Sequence, residues 1–305
     1  MNNNNDGKIE LSLLDFGLRS SSLNSMMIIE DVLEYARLAD RMGFKRLWLT
    51  EHHIADSVAA WYNPLPLIPI IAGMTNRLIT GIAGSQLNLH NPYHIATNYK
   101  LLANLFPGRI DLGLAAGNVE KNILGFLGLD YGNAQEKARE AIRLLQEEDA
   151  LVEEHQVIIP PFRGFIPDIW LLSTNYNRLE DVIRYKVNFS RSLFHGTDRE
   201  AHRSKLEEFR QAFFAAHGVQ PRLTLAISGC CHHTDRKARE IAEKADYKGV
   251  CINVCGSMER FRDTLLLYQE QYGYDEFTFL NLAREPKDRR IGLSLLQKAF
   301  DLQYT

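Results

Sequence analysis

The stretch that decides the fold is FKRLWLTEHH at residues 44–53, where an apolar run ends in three ionisable side chains. Before it, residues 27–43 carry apolar side chains at helical spacing, and Gly43 stands where a left-handed helix cap belongs. A helix, a glycine turn and a short apolar strand form half of a βαβ unit, whose parallel strand is covered by helices. Ligands gather at the carboxyl ends of such strands, so residues 51–53 lie where chemistry is expected.

The composition of the chain is that of a globular protein, with 45% hydrophobic and 24% charged residues among 305. The formal charge is −3, and no basic stripe is interleaved with aromatic residues, so we expect no nucleic-acid partner. The most apolar region, residues 59–74, is interrupted by prolines, which argues against a membrane span. A polar start without a hydrophobic signal region, together with only four cysteines, predicts a cytoplasmic protein.

Strand-like runs alternate with helical patterns along the whole chain. The predicted strands are residues 9–15, 44–53, 78–87, 109–114, 169–172, 187–194, 222–228 and 276–281. Helices fill the intervals, including a long charged helix at residues 134–154. This alternation favours an α/β fold, a single (β/α)8 TIM-like barrel, over a doubly wound sheet. No linker or internal repeat divides the chain, so we predict a disordered tail at residues 1–8 and one barrel domain at residues 9–305.

Two histidines beside a carboxylate, Glu51, His52 and His53, follow the second predicted strand. A neutral imidazole can move protons at pH 7, and an adjacent carboxylate can fix its tautomer. Neighbouring residues of an extended strand face opposite ways, so only one of the two histidines is expected to enter the barrel mouth. The competing interpretation is that both histidines only pack at the barrel rim.

A second polar segment, STNYN at residues 173–177, lies between the fifth predicted strand and the next helix. Its hydroxyl and amide groups, with the N–H groups of a helix start, make an anion site to which Arg178 adds a charge. The competing interpretation is an ordinary helix N-cap cluster.

Three weaker features complete the candidate site. Gly81 and Gly84 leave a bare strand on which an aromatic ring can stack. Trp61 and Tyr62, in the loop after the second strand, and His90 are candidates for a substrate pocket, although rim packing explains the two aromatic rings equally well. No metal site is predicted, because the usual zinc-ligand spacings are absent from the cluster of Cys230, Cys231, His232, His233, Cys251 and Cys255.

Several segments together resemble the bacterial luciferase-like flavin monooxygenases. They are RLWLTEHH at residues 46–53, NP at 63–64 with AGMTNR at 72–77, GIAG at 81–84 with HNP at 90–92, and PGRIDLGL at 107–114. Softer matches are WLLSTNY at 170–176 and GSMER at 256–260. The segments occur in order and cover nearly everything from Ile9 onward, so the combination is specific although each piece alone is not.

The resemblance implies a TIM-like barrel, commonly dimeric, that receives reduced FMN from a separate flavin reductase and reacts it with O2. In that scheme a C4a-hydroperoxyflavin oxidises a small or medium organic substrate in a dry barrel mouth. His52 matches the catalytic histidine, with Glu51 beside it. Ala83 and Gly84 match a strand that lies against the flavin ring and has a non-proline cis peptide in some members. The flavin-binding positions implied are Ala83, Gly84, Ser85, Ala116, Ser173, Thr174, Asn175, Tyr176 and Arg178.

The chain departs from the family pattern where the flavin phosphate is held. Many members have an arginine after the fourth strand, where this chain has Ala116, and another at the start of the next long helix, where it has Gln135 or Lys137. Each charge-assisted bond of this type is worth about 1.5–3 kcal/mol, so phosphate binding is weakened, altered or rescued by Arg178.

Three hypotheses stay open at this point. The first is an FMN-dependent monooxygenase in which His52 is the acid, base or stabilising group. The second keeps the fold but uses a deazaflavin, giving an oxidoreductase that transfers hydride and ignores oxygen. The third is a non-catalytic flavin-binding barrel that has lost its phosphate arginines.

Overall fold

The computed structural model describes residues 8–20, 22–53, 59–115, 117, 119–129, 132–196, 203–245, 247 and 249–304. Its strands are β1 Glu10–Asp15, β2 Arg46–Leu49, β3 Ile79–Gln86, β4 Ile110–Ala115, β5 Asp168–Ser173, β6 Asn188–Ser192, β7 Leu223–Cys231, β8 Val254–Gly256 and β9 Glu276–Asn281. Its helices are α1 Ser25–Met42, α2 Leu67–Met74, α3 Pro92–Leu105, α4 Lys121–Leu127, α5 Ala134–Gln146, α6 Glu148–His155, α7 Leu179–Tyr185, α8 Arg203–His217, α9 Asp235–Lys244, α10 Met258–Tyr272 and α11 Pro286–Ala299. None of these helices combines the length and the apolar character that crossing a bilayer requires.

The strands form one parallel sheet that closes on itself. β1 pairs with β2 on one side and β9 on the other, and the ring continues through β3, β4, β5, β6 and β7 back to β9. This closed barrel of eight strands with interleaved helices confirms the predicted (β/α)8 fold. β8 is an additional short strand that pairs with the end of β7, from Gly229 to Cys231.

Local sequence signals account for several helix ends. The side chain of Asn24 accepts a hydrogen bond from the Met27 N–H at the start of α1, and Gly43 ends the same helix with a φ of 83°. Asn91 caps α3 in the same way, followed by Pro92 at its first position. These caps place α1 before β2 and α3 before β4, as the sequence predicts.

The predicted helix at residues 134–154 is wrong in one respect, because the structure divides it into α5 and α6. The break is at Glu147, whose φ of −111° and ψ of 46° are not helical. Beyond the break, Glu148 forms an ion pair with the buried Lys100 of α3, and Leu151 is buried. The chain therefore supplies a partner for a buried charge directly after the break.

A buried layer of charged side chains closes the amino-terminal end of the barrel. Arg46 of β2 has no exposed surface and forms ion pairs with Asp111 of β4, at 3.1 Å, and with Glu276 of β9. Its guanidinium lies 4.7 Å from the ring centre of Trp170 and 5.4 Å from that of Trp48. Because side chains on one face of a strand recur every second residue, Trp48 lies one layer above Arg46 and forms the floor of the space above.

Candidate active site

A cavity of about 450 Å3 occupies the carboxyl-terminal mouth of the barrel. Its lower wall is mainly apolar and is formed by Leu14, Trp48, Ala83, Leu172 and Ala226. Its volume lies in the range of small-molecule and cofactor sites. Eight of the residues predicted from sequence line it, namely Glu51, His52, Ala83, Gly84, Ser173, Thr174, Asn175 and Arg178.

His52 enters the cavity from the loop that follows β2. Its ring centre lies 4.9 Å from that of Phe16, and its Nδ1 lies 3.1 Å from Oγ1 of Thr50. Burial, together with the nearby His195, lowers the pKa of His52 to about 4. The imidazole is therefore neutral at pH 7 and can both donate and accept a hydrogen bond.

Glu51 is buried and bonded on both carboxylate oxygens. Its Oε2 accepts a hydrogen bond from the backbone N–H of Gln86 at 2.9 Å. Its Oε1 accepts hydrogen bonds from Nε2 of His53 at 2.9 Å and from Nε2 of His90 at 2.6 Å. Burial alone would raise the pKa of Glu51, but the hydrogen bonds from the two histidines and from Gln86 lower it to about 2. Glu51 is therefore a fixed anion that anchors the loop carrying His52.

The wall after β5 is polar and carries one cation. The backbone N–H of Asn177 donates to Oδ1 of Asn175 at 3.0 Å, and Oγ of Ser173 lies 3.3 Å from the same Oδ1. Arg178 precedes α7, and its Nε donates to Asp181 at 2.9 Å. Gln135, at the start of α5, reaches the same cavity. Hydroxyls, amides and a guanidinium in one wall suit a phosphate group.

The neighbouring wall is formed by the backbone of β3, which β4 separates from β5. The Ala83–Gly84 peptide bond is cis, as in some members of the family that the sequence resembles. A Cβ atom on Gly84 would lie 2.6 Å from Cδ1 of Leu172 and 2.7 Å from Cβ of Ala115. Glycine is therefore required for β3 to lie this close to its neighbours.

The residues present fit a flavin. The polar wall supplies donors for a phosphate, and the apolar wall at Ala83, Gly84 and Leu172 is suited to a flat ring system. Oε1 of Gln86, which also lines the cavity, is buried and has no hydrogen-bond partner among the described residues. Such an acceptor suits a ligand that carries an N–H group.

The sequence model for luciferase-like monooxygenases matches residues 11–278. The chain belongs to the luciferase-like monooxygenase family. Family membership makes it an oxidoreductase of the monooxygenase type.

The chain is also similar over nearly its whole length to a relative and to solved structures. Uncharacterized protein YwcH of Bacillus subtilis (strain 168) is 25% identical over 96% of this chain and 99% of its own length. The crystal structure of apo-MsnO8 has a TM-score of 0.83 at 24% identity and covers 97% of this chain and 98% of its own. The FMN complex of the oxygenating constituent of 3,6-diketocamphane monooxygenase from Pseudomonas putida has a TM-score of 0.71 at 17% identity, covering 96% and 98%. At these identities the two structures show the shared fold alone.

Some predicted residues of this luciferase-like monooxygenase lie outside the cavity lining. Tyr176 turns into the layer between barrel and helices, where its hydroxyl lies 3.2 Å from Arg191 and 3.3 Å from the hydroxyl of Tyr274. Ser85 is buried within β3 next to its bulge. Ala116 lies outside the described residues.

The three predicted substrate residues lie at the rim, outside the lining. Trp61 donates from Nε1 to the carbonyl oxygen of Thr50 at 3.1 Å, and its ring leaves no room for a Cβ atom on Gly17. Tyr62 is exposed and packs against His53 in a tilted arrangement with 5.4 Å between ring centres. His90 binds Glu51 and supports the site from behind. The positions of Trp61 and Tyr62 correspond to the alternative interpretation of the sequence, in which both aromatic rings pack at the barrel rim.

Sequence reasoning missed the aromatic side of the site in this luciferase-like monooxygenase. Phe16 directly follows β1, whereas Phe194 and His195 come shortly after β6, and all three line the cavity. The rule that singled out residues 51–53, an unusual side chain just beyond a strand, would have found His195. Gln86, Gly117, Ser190, Ser192 and Thr278 also line the cavity and carry no distinguishing sequence signal.

Proposed function

We propose that the chain oxidises a small or medium organic substrate with O2 and reduced FMN, which a separate flavin reductase supplies. The observation that carries this proposal is that one cavity joins the neutral His52 to the polar wall containing Arg178. The first element provides a proton-transfer group, and the second provides donors for the phosphate that distinguishes FMN from riboflavin.

In this proposal the polar wall holds the phosphate and β3 holds the ring. Ser173, Thr174 and Asn175 offer short polar groups, and the guanidinium of Arg178 adds a charge-assisted bond. Asp181 orients that guanidinium through its Nε and leaves its terminal amino groups without an acceptor among the described residues. When bound, the reduced flavin supplies the two electrons with which O2 is activated.

In this proposal His52 takes up or releases one proton in a largely apolar space. Thr50 occupies its Nδ1, and its Nε2 has no hydrogen-bond partner among the described residues. Nε2 is therefore the atom that takes or gives the proton. Phe16, Phe194 and Leu14 line the cavity around it and limit the entry of water, which would limit the unproductive loss of activated oxygen as hydrogen peroxide.

The proposal includes a homodimer in the cytoplasm. Leu101 and Leu105 on the outer face of α3 are exposed, as are Phe162 and Phe165 in the loop that follows α6. Asn104 ties this loop to α3 by hydrogen bonds to the backbone N–H and carbonyl of Phe165. These four side chains, which we call the α3 patch, support association with a second copy. The four cysteines are free thiols, which suits a reducing compartment.

The test is an anaerobic titration of the protein with reduced FMN and, separately, with a reduced deazaflavin, followed by mixing with oxygenated buffer. We expect reduced FMN to bind and to reoxidise more slowly than free FMN, with hydrogen peroxide released faster from His52→Ala than from the wild type. Binding of the deazaflavin without binding of FMN would replace this proposal by the hydride-transfer hypothesis. Failure of both to bind would favour a non-catalytic barrel.

A further inference from the structure

The cavity has an aromatic side that the flavin does not use in the proposed arrangement. Phe16 is its centre, with ring centres 4.9 Å from His52, 6.3 Å from Phe194 and 6.3 Å from His195. Phe194 and His195 are themselves 4.4 Å apart. We call these four residues the aromatic collar. They come from the loops after β1, β2 and β6, so the aromatic collar joins loops from both sides of the segment formed by β3, β4 and β5.

The aromatic collar offers no ionic partner to a ligand. Among the described residues that line the cavity, the charged side chains are Glu51 and Arg178. Glu51 is bonded to two histidines, and Arg178 lies in the polar wall beside Asp181. Burial lowers the pKa of His52, and partial burial lowers that of His195, which keeps part of its side chain exposed; both rings are therefore neutral at pH 7. A charged group bound here would therefore lose its water without gaining a counterion.

The charged side chains next to the aromatic collar also have ion-pair partners outside it. Asp15 precedes Phe16, but its carboxylate is held by Arg19 at 2.9 Å and by Arg289. Arg19 in turn binds Asp31 at 2.6 Å. This buried network neutralises itself below the aromatic collar and presents no free charge to it.

His195 supplies one directional polar contact. Its Nδ1 lies 3.3 Å from the carbonyl oxygen of Gly249, and because a carbonyl only accepts, Nδ1 carries the proton. In the neutral ring, Nε2 then has a lone pair that accepts a hydrogen bond. A ligand that suits this atom carries a hydroxyl or N–H donor.

We infer that the aromatic collar is the substrate subsite and that it takes an uncharged, planar molecule bearing a hydroxyl or N–H group. Aromatic faces and edges bind a flat unsaturated ring, and the lone pair of His195 orients it through its donor. This inference rests on the proposed function, because the bound molecule is a substrate only if the protein oxidises it. The predicted binding preference itself follows from the residues of the aromatic collar alone.

The test is calorimetric titration of the full chain, with and without oxidised FMN, using three probes of nearly equal size. They are 2-naphthol, 2-naphthoate and 2-methoxynaphthalene. We expect 2-naphthol to bind best, 2-methoxynaphthalene about fivefold more weakly because it lacks the donor, and 2-naphthoate at least about tenfold more weakly. The variant His195→Phe keeps the ring packing and removes the acceptor, so the preference for 2-naphthol over 2-methoxynaphthalene should disappear.

The matched control is Arg178→Gln in the polar wall. It should leave the affinity for 2-naphthol unchanged and remove any 2-naphthoate that binds at the phosphate position. Equal binding of 2-naphthol and 2-naphthoate in this control, or an unchanged donor preference in His195→Phe, would overturn the inference. If FMN did not bind but 2-naphthol were still preferred over the other two probes, the proposed function would be contradicted. The assignment of a binding site for an uncharged planar molecule would still hold.

Discussion

Nε2 of His90 and Oε1 of Glu51 lie 2.6 Å apart, although the two residues are 39 positions apart and follow different strands. His53 donates to the same oxygen, and the backbone of Gln86 donates to the other. The carboxylate therefore ties the loop after β2 to the end of β3. His52 lies between Glu51 and His53 in the chain, so this cluster holds the backbone of the proposed proton-transfer residue.

The first prediction concerns stability and pH. The pKa of Glu51 in the folded protein is about 2, below its usual 4.5. The ionised carboxylate therefore stabilises the fold above pH 4.5, and this contribution is lost as the pH falls from 4.5 towards 2. We expect Glu51→Gln to lower the free energy of unfolding by about 3 kcal/mol at pH 7 and by progressively less below pH 4.5. Urea unfolding at several pH values measures the difference.

Glu34 provides the matched control for this experiment. Its carboxylate is exposed and pairs with Arg37 at 2.9 Å, so Glu34→Gln should change stability by less than about 1 kcal/mol at any pH. A loss in Glu51→Gln that stays constant from pH 7 to pH 3 would contradict the assigned ionisation.

The second prediction concerns the charge of His52. Its pKa of about 4 in the folded protein, below the usual 6.5, means that the unfolded chain takes up its proton first. The stability of the protein should therefore fall as the pH drops from 6.5 towards 4, and less steeply in His52→Asn. The NMR signal of the imidazole, assigned by its absence in that variant, should titrate near pH 4. A midpoint near 6.5 would show that the ring is hydrated and that the cavity is not dry.

The third prediction concerns the phosphate. Arg178→Gln removes the only arginine among the described residues that line the cavity, so the affinity for FMN should fall about 10- to 100-fold. Riboflavin lacks the phosphate, and its affinity should be the same in both proteins. Conversely, Gln135→Arg should strengthen FMN binding about tenfold, and fluorescence quenching of the flavin measures each case. An equal loss for FMN and riboflavin would place Arg178 against the ring instead.

The fourth prediction concerns the charged layer under the cavity. Arg46→Met leaves Asp111 buried without its cation and Glu276 with Lys45 alone, and we expect a loss of about 3–5 kcal/mol in the free energy of unfolding. Lys45→Met, which removes a partly exposed partner of Glu10 and Glu276, should cost about 1 kcal/mol. Urea unfolding of the two variants compares them directly. Similar losses would mean that the barrel interior is hydrated at this level.

The fifth prediction concerns association through the α3 patch. Leu105→Glu introduces a charge into the proposed dimer contact and should shift sedimentation from dimer to monomer at micromolar concentration. Leu267→Glu, on the exposed part of α10, is the matched control and should leave the assembly unchanged. A dimer that persists in Leu105→Glu would place the contact on another face.

The barrel could be predicted because its signals are local. Apolar strands bounded by helices recur along the chain, and caps such as Asn24, Gly43 and Asn91 mark the helix ends. The break at Glu147 could not be predicted, because neither proline nor glycine marks it and the ion pair beside it is made with the distant Lys100. Local signals fail wherever a partner far along the chain decides the conformation.

The candidate site was predictable in part for the same reason. Residues at strand ends, such as His52 and Ser173, can be identified as site candidates from their position alone. The structure places both in the cavity lining. Tyr176, three residues after Ser173, turns away because Arg191 and Tyr274 offer its hydroxyl a partner in the outer layer. The aromatic collar joins loops that are distant in sequence, and no pattern within one loop reveals it.

The layer built on Arg46 also determines from which side of the barrel molecules reach the cavity. Arg46, Trp48 and Trp170 fill the barrel below the cavity, and Arg46 and Trp170 have no exposed surface. Among the described residues the cavity opens at the carboxyl-terminal side, so under the proposed function cofactor, oxygen, substrate and product all pass through that side. Under the proposed function, a molecule bound against Trp48 would therefore leave after a molecule bound above it, so depth in the barrel would set the order of release.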